Sequence, residues 1–313
     1  MQRRHLLSAA WWGLVAWLVM GVAALAQQPP SPEAQAFRYR FEPGTRMKYR
    51  VSAQLSGTLP LFGGLPVEKM TLEMTMALVV RQVRSDGNAE LGIDMETFRA
   101  EMDGQALPLP LDRLRASLRD VVMVVTPRGE VLERKGGNVL PLQVPIPGVE
   151  GSQLPLLVLQ LVFPEGALAP QQEWSYSRAM TAQTGDAPAQ FTARWVQEET
   201  IHDVPASRFH QKMRWSRSFK ADLFDLPTTD ESLMVKQVDQ TVQGDAQIWF
   251  SPTEGRLVRA VLDAQYEQHT RLLNPSEGAT PPAPARLTAR VHVIREELAA
   301  REPQSPPQKT QQQ

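Results

Sequence analysis

From Thr71 to Val80 the sequence alternates with a period of two: Leu72, Met74, Met76, Leu78 and Val80 are apolar, while Thr71, Glu73 and Thr75 are polar. Successive side chains point to opposite faces only in a strand, so this spacing argues for a half-buried strand and against an amphipathic helix. Asp86-Gly87 follows, a pair that tolerates positive φ and marks a hairpin turn. The return strand puts Ala89, Leu91, Ile93 and Met95 on one face. The phase then slips, with Phe98, Ala100 and Met102 carrying the apolar side, as one inserted β-bulge residue produces.

The second half repeats this grammar. Phe191, Ala193 and Trp195 alternate with polar positions and lead to a turn around His202-Asp203-Val204-Pro205. Phe209, Met213 and Trp215 then face one way, and Arg208, His210, Lys212 and Arg214 the other. Val258, Ala260, Leu262, Ala264 and Tyr266 give another strand, and Leu287, Ala289, Val291 and Val293 the last. The 26 prolines outnumber the 19 glycines and fall between apolar runs, where they break helices and confine strands to ends and edges. The expected fold is mainly β: two related antiparallel sheet-rich lobes, as a curved open sheet or half-barrel, joined by a short helical or irregular apolar connector. Whether the lobes share one sheet stays open at this point.

The two halves read as distant copies. Val124-Val125-Thr126-Pro127-Arg128-Gly129-Glu130-Val131-Leu132 parallels Ile248-Trp249-Phe250-Ser251-Pro252-Thr253-Glu254-Gly255-Arg256-Leu257-Val258. In both, an apolar strand reaches a hydroxyl residue and a proline, turns at a glycine, and re-enters a strand. The expected boundaries are 1–26 for a signal peptide, 27–36 for a polar tether, 37–137 for the first lobe, 138–170 for the Pro-rich apolar connector, 171–299 for the second lobe and 300–313 for a disordered Pro- and Gln-rich tail.

The signal peptide is read from Arg3-Arg4, the apolar run Leu6 to Ala23, and Ala24-Leu25-Ala26, the small-x-small pattern a signal peptidase cuts. The expected location is outside the cytoplasm, periplasmic or extracellular, with no transmembrane span after cleavage. The arginine pair also resembles a twin-arginine signal. Removing Arg3 and Arg4 takes the formal net charge from −1 to −3, too balanced to favour nucleic acid as an electrostatic partner. With no cysteine, the chain has no disulfide, thiolate nucleophile or thiolate metal ligand.

Tyr39-x-Phe41-x-Pro43-Gly44-Thr45, the Thr126-Pro127-x-Gly129 turn, and Phe163-Pro164 followed by Trp174 carry a resemblance. In these motifs the chain resembles an uncharacterised family of exported bacterial β-rich proteins, although Gln172 stands where that family's junction has a glycine. The resemblance implies an architecture and no chemistry. At fold level the chain is more loosely similar to periplasmic lipoprotein-carrier half-barrels.

No catalytic motif emerges: Gly-x-Ser-x-Gly, Ser-x-x-Lys, a Walker loop, a dinucleotide glycine pattern and His-Glu-x-x-His are all missing from the sequence. His202-Asp203 lies in a turn, and His210, His269 and His292 fall on polar strand faces or ends, where solvated histidines are the default. Asp222, Asp225, Asp230 and Glu231 cluster in sequence without the spacing of a calcium loop. No cofactor and no metal is expected. What remains is apolar surface in loops: Leu61, Phe62 and Leu65 beside Gly63-Gly64, and Leu142, Val144, Ile146, Leu156, Leu157 and Leu159 in the connector. These nine are the candidate ligand-binding residues. The expected function is a non-catalytic envelope protein binding a lipid-like or other apolar ligand, or a protein partner. The alternatives are an assembly protein with no small-molecule ligand, and a hydrolase acting on envelope glycan or peptide.

Overall fold

The computed structural model describes residues 33–58, 66–107, 111–136, 161–179, 187–221, 236–273 and 285–298. They form twelve strands: β1 Arg46–Thr58, β2 Pro66–Val83, β3 Ala89–Met102, β4 Gln105–Ala106, β5 Val122–Val125, β6 Val131–Lys135, β7 Glu173–Arg178, β8 Ala189–Ile201, β9 Val204–Ala221, β10 Lys236–Ser251, β11 Arg256–Leu272 and β12 Ala285–Glu297. One helix, α1 Leu111–Arg119, lies between β4 and β5. The segment Leu111–Leu118 suits either a helix or a strand by period, and the structure makes it a helix. Among the described residues no helix is long and apolar enough to cross a membrane.

The expected lobes are two halves of one continuous antiparallel sheet, which stays open. Its order is β6-β5-β3-β2-β1-β12-β11-β10-β9-β8-β7, with β4 paired to β3 off the main path. The order β6-β5-β3-β2-β1 recurs as β11-β10-β9-β8-β7, the arrangement two tandem meanders give. β12 is the extra strand, lying between β1 and β11 and joining the halves.

The turns joining β2 to β3, β5 to β6, β8 to β9 and β10 to β11 gather at one end of the sheet, and the Asp103-Gly104 turn between β3 and β4 lies at the other. Gly87, with φ of +81°, closes β2 to β3 after Asp86, which accepts the Asn88 N–H at 3.0 Å. His202 and Asp203 both have positive φ, 48° and 65°, the geometry of a two-residue type I′ hairpin turn between β8 and β9. The expected bulge in β3 is present: Thr75 pairs with Thr97 and Met76 with Met95, leaving Glu96 as the extra residue.

Two irregular segments cross this turn-bearing end and cover one face of the sheet, here the inner face. The first, ahead of β1, carries Phe37, Tyr39 and Phe41; the second, ahead of β7, carries Leu161, Phe163 and Leu168. They pair with each other through Gln35 and Leu168. They are tied to the turns by Tyr39 N–H to Pro127 O at 2.7 Å, Arg40 N–H to Gly255 O at 2.9 Å and Phe163 N–H to Arg128 O at 2.9 Å. Phe37 then inserts edge-on against Trp195 and Phe209, with ring centres 5.1 Å away in both cases. Phe163 meets Phe250 at 4.9 Å. Trp195 and Trp215, whose parity matches the apolar face of their strands, are buried in this core as expected. Trp249 has the opposite parity and lies on the outer face, where Arg259 stacks 5.4 Å from its ring centre and its indole N–H donates to Glu199 at 2.9 Å.

β3 pairs with β5 only over Ala89–Gly92, which leaves its later residues with an open edge. Helix α1 blunts that edge: Arg115 donates to the carbonyls of Met95, at 3.1 Å, and of Glu96.

Candidate functional site

Strand register turns the inner face into a set of transverse rows. Over β1, β2 and β3 the rows read Leu55–Met70–Met102, Ala53–Leu72–Ala100, Val51–Met74–Phe98 and Tyr49–Met76–Met95. Methionine fills two of the three positions in the first and last of these rows and one in the Val51 row. Its unbranched, polarizable side chain adapts to irregular apolar shapes, and Met70, Met74, Met76 and Met95 are all buried in the core. The aromatic half of the face, over β8 to β10, is the rigid counterpart, because it is already filled by Phe37 and Phe163.

Polar groups interrupt the face at a few places. Tyr266 donates its hydroxyl proton to Gln268 Oε1, and Gln240 Nε2 reaches the same oxygen at 2.8 Å. Arg217 Nε donates to Gln240 Oε1 at 2.6 Å, and its guanidinium lies 4.4 Å from the Phe219 ring centre. Tyr176 donates to Gln211 Oε1; burial pushes its hydroxyl up to about 12, against the lowering effect of Arg178. Arg178 itself is buried over the Phe191 ring, 5.5 Å away, and burial lowers its pKa.

Arg295 stands apart from these. Following register from β8 to β3, its row reads Trp195, Phe209, Ile248, Ala260, Arg295, Val51, Met74 and Phe98. It is the one charged residue of that row, and it is 3% exposed. Its guanidinium lies 3.8 Å from the Tyr49 ring centre. A small cavity of about 20 Å³ adjoins it, lined by Tyr49, Met47, Leu78, Met123 and others, enough for one water-sized group. Two residues on, Glu297 pairs with Arg256 at 3.0 Å, and burial raises its carboxyl to about 7.

The outer face is polar. One register row crosses Gln54, His292, Asp263, Asp245, Lys212 and Thr192 from β1 to β8. Asp263 and Asp245 therefore sit directly opposite one another on β11 and β10. Each also bonds a histidine: His292 Nδ1 to Asp263 at 2.6 Å, and His210 Nε2 to Asp245 at 3.0 Å. They line an open groove of about 1060 Å³ with Gln243, Gln265 and Arg290. A carboxylate-oriented imidazole is two-thirds of a general-base unit. Among the described residues, neither imidazole bonds a Ser or Thr hydroxyl, so no nucleophile completes it. No group of three His, Asp or Glu side chains among the described residues is placed to hold a metal ion.

The candidate residues from the apolar loops, Leu61, Phe62, Leu65, Leu142, Val144, Ile146, Leu156, Leu157 and Leu159, lie outside the described residues, as do Asp222, Asp225, Asp230 and Glu231. Their anchors are described. Thr58 and Pro66 flank the first loop and pair with each other at the ends of β1 and β2. The connector leaves after Gly136, beyond β6, and re-enters the described chain at Leu161, which is fully buried beneath the turn-bearing end. The period-two pattern locates the inner face but gives no signal for Arg295, which occupies an apolar position. Asp245 and Asp263 are likewise ordinary polar positions until register sets them opposite each other. No protein-family model matches the chain, and no curated protein matches it significantly.

Proposed function

We propose that the protein is an exported, non-catalytic binding protein whose ligand is apolar and lies between the inner face of the sheet and the apolar loops. The observation that carries this reading is the methionine-rich inner face of β1 to β3. Its rows Leu55–Met70–Met102 and Val51–Met74–Phe98 extend from the aromatic plug to the end of the sheet where Thr58 and Pro66 hold the first apolar loop. The connector, with Leu142, Val144, Ile146, Leu156, Leu157 and Leu159, is tethered at the opposite margin through Gly136 and Leu161. Rigid aromatics fill one end of the face, and adaptable side chains line the other. The leader read from Arg3 to Ala26 supports export, and the envelope supplies apolar guests of this kind.

Native mass spectrometry of the protein purified from its own cells without detergent tests the reading. An added mass that disappears on organic extraction is the expected result. A bare monomer mass, reproduced from several growth conditions, overturns it and favours an assembly protein without a small-molecule ligand.

A further inference from the structure

We infer that Arg295 is an oxyanion site at the centre of the inner face, which, resting on the apolar-ligand reading above, receives the negatively charged head of an amphiphile. A guanidinium withdrawn from water needs both hydrogen-bond acceptors and a counter-charge, and an uncompensated one costs far more than a neutral polar group. Arg295 is 3% exposed, and its Nε finds no hydrogen-bond partner. Among the described residues it has no ion pair. Glu296, the next residue, points to the outer face and pairs with Arg259 at 3.4 Å. Glu297, the nearest carboxylate on the same face, feels the charge of Arg295 but makes its ion pair with Arg256 at 3.0 Å. Of the two hydroxyls beside Arg295, Tyr39 donates to Leu161 O at 3.3 Å and Tyr49 to Leu257 O at 3.2 Å; Tyr49 also accepts from the guanidinium, but neither supplies a counter-charge.

The cavity that Arg295 helps to line measures about 20 Å³, the room one oxygen-sized atom requires. A carboxylate or phosphate oxygen placed there supplies charge and acceptor together, the stronger kind of hydrogen bond. The apolar remainder of such a ligand meets methionine at once. Met47 lines the same cavity, Val51 and Met74 continue the Arg295 row, and Met76 and Met95 form the next. An anionic head with a hydrocarbon tail matches the neighbourhood better than a wholly apolar guest, which supplies neither a counter-charge nor an acceptor for Nε.

The test compares hexadecanoate, hexadecanol and acetate for binding to the purified protein after passage over hydrophobic resin, by calorimetry and by shift of Tm. It uses wild type, Arg295→Met and Arg295→Lys. Hexadecanoate is expected to bind wild type about ten-fold or more tightly than hexadecanol. Arg295→Met is expected to erase that preference while still binding the alcohol, and Arg295→Lys to retain part of it. Equal affinities for acid and alcohol in wild type, or a preference that survives in Arg295→Met, overturn the inference. If neither amphiphile binds but acetate raises the Tm of wild type and not of Arg295→Met, the oxyanion site stands with a free anion as its source, and the apolar-ligand reading fails. If none of the three acts on wild type, both fail. Should Arg295→Met not fold, the acid-to-alcohol ratio in wild type and in Arg295→Lys decides.

Discussion

Phe37 stacks on Phe163 with ring centres 5.5 Å apart and planes 23° from parallel, and both rings are 1% exposed. Neither residue belongs to a strand. One precedes β1 and the other follows the connector, so their contact fastens the two irregular segments together over the sheet. Phe37→Ala deletes a ring that also touches Trp195, Phe209 and Phe250. Truncating a buried ring of this kind costs about 3–5 kcal/mol, and the stacked pair contributes a coupling of about 0.5–1.5 kcal/mol. Urea unfolding of Phe37→Ala, Phe163→Ala and the double variant measures both quantities. A loss below about 1 kcal/mol for Phe37→Ala would show that this segment is not part of the core.

The two turn glycines that the sequence pairs, Gly129 and Gly255, do the same mechanical work. Each has positive φ, +91° and +65°. A Cβ on Gly129 would come within 2.2 Å of the Leu161 carbonyl oxygen, and one on Gly255 within 2.7 Å of the Arg40 amide nitrogen. The glycines are therefore required by the crossing segments as well as by the turns. Gly255→Ala is expected to lose about 1–3 kcal/mol through backbone strain, and more if Arg40 cannot withdraw. Gly44→Ala is the control, since it also has positive φ but would meet nothing within 4 Å. A thermal melt in which Gly255→Ala and Gly44→Ala lose the same amount would sink the close-approach argument.

Glu297 makes stability depend on pH. Burial raises its carboxyl from the ordinary 4.5 to about 7 in the folded protein, against the lowering pull of Arg256. Between those two values the native state keeps a proton that the unfolded chain releases. The corresponding stability is complete below about pH 4.5 and is lost as pH rises through about 7. Glu297→Gln abolishes this contribution, so its stability curve is flatter than that of wild type across the window, by about 1–3 kcal/mol. Urea titrations at several pH values compare the two, and parallel curves would refute the assignment to Glu297.

Much of this fold is legible in the sequence because a half-buried strand records its own orientation. Leu72 to Val80, Phe209 to Trp215 and Val258 to Tyr266 show which residues face the core, and Asp86-Gly87 and His202-Asp203 show where the chain reverses. Phe37, Tyr39 and Phe41 also alternate, but they sit outside the sheet, and period alone cannot distinguish a paired strand from an extended segment laid across one. Arg295 is hidden for a different reason: one charge in an apolar register reads as a local exception until its neighbours on four other strands are known. Whether β1 meets β12 is a long-range pairing that no local pattern encodes.

Asp263 and Asp245 are a similar product of register, and they make the outer face sensitive to salt. The two carboxylates lie directly across from each other on β11 and β10, with side chains 72% and 64% exposed. Like charges so placed oppose strand pairing, and at the surface their repulsion is weak and readily screened. Their bonds to His292 and His210 compensate in part, since the ring nitrogen facing each carboxylate is an N–H donor. Asp263→Asn removes one of the charges and keeps the shape. Raising the ionic strength from about 0.01 M to about 1 M should stabilise wild type by about 0.5 kcal/mol more than it stabilises Asp263→Asn. Asp239→Asn, on the same face of β10 but opposite His269 in register, serves as the control. If all three proteins respond to salt alike, the opposed carboxylates contribute nothing, and the histidine bonds already neutralise them.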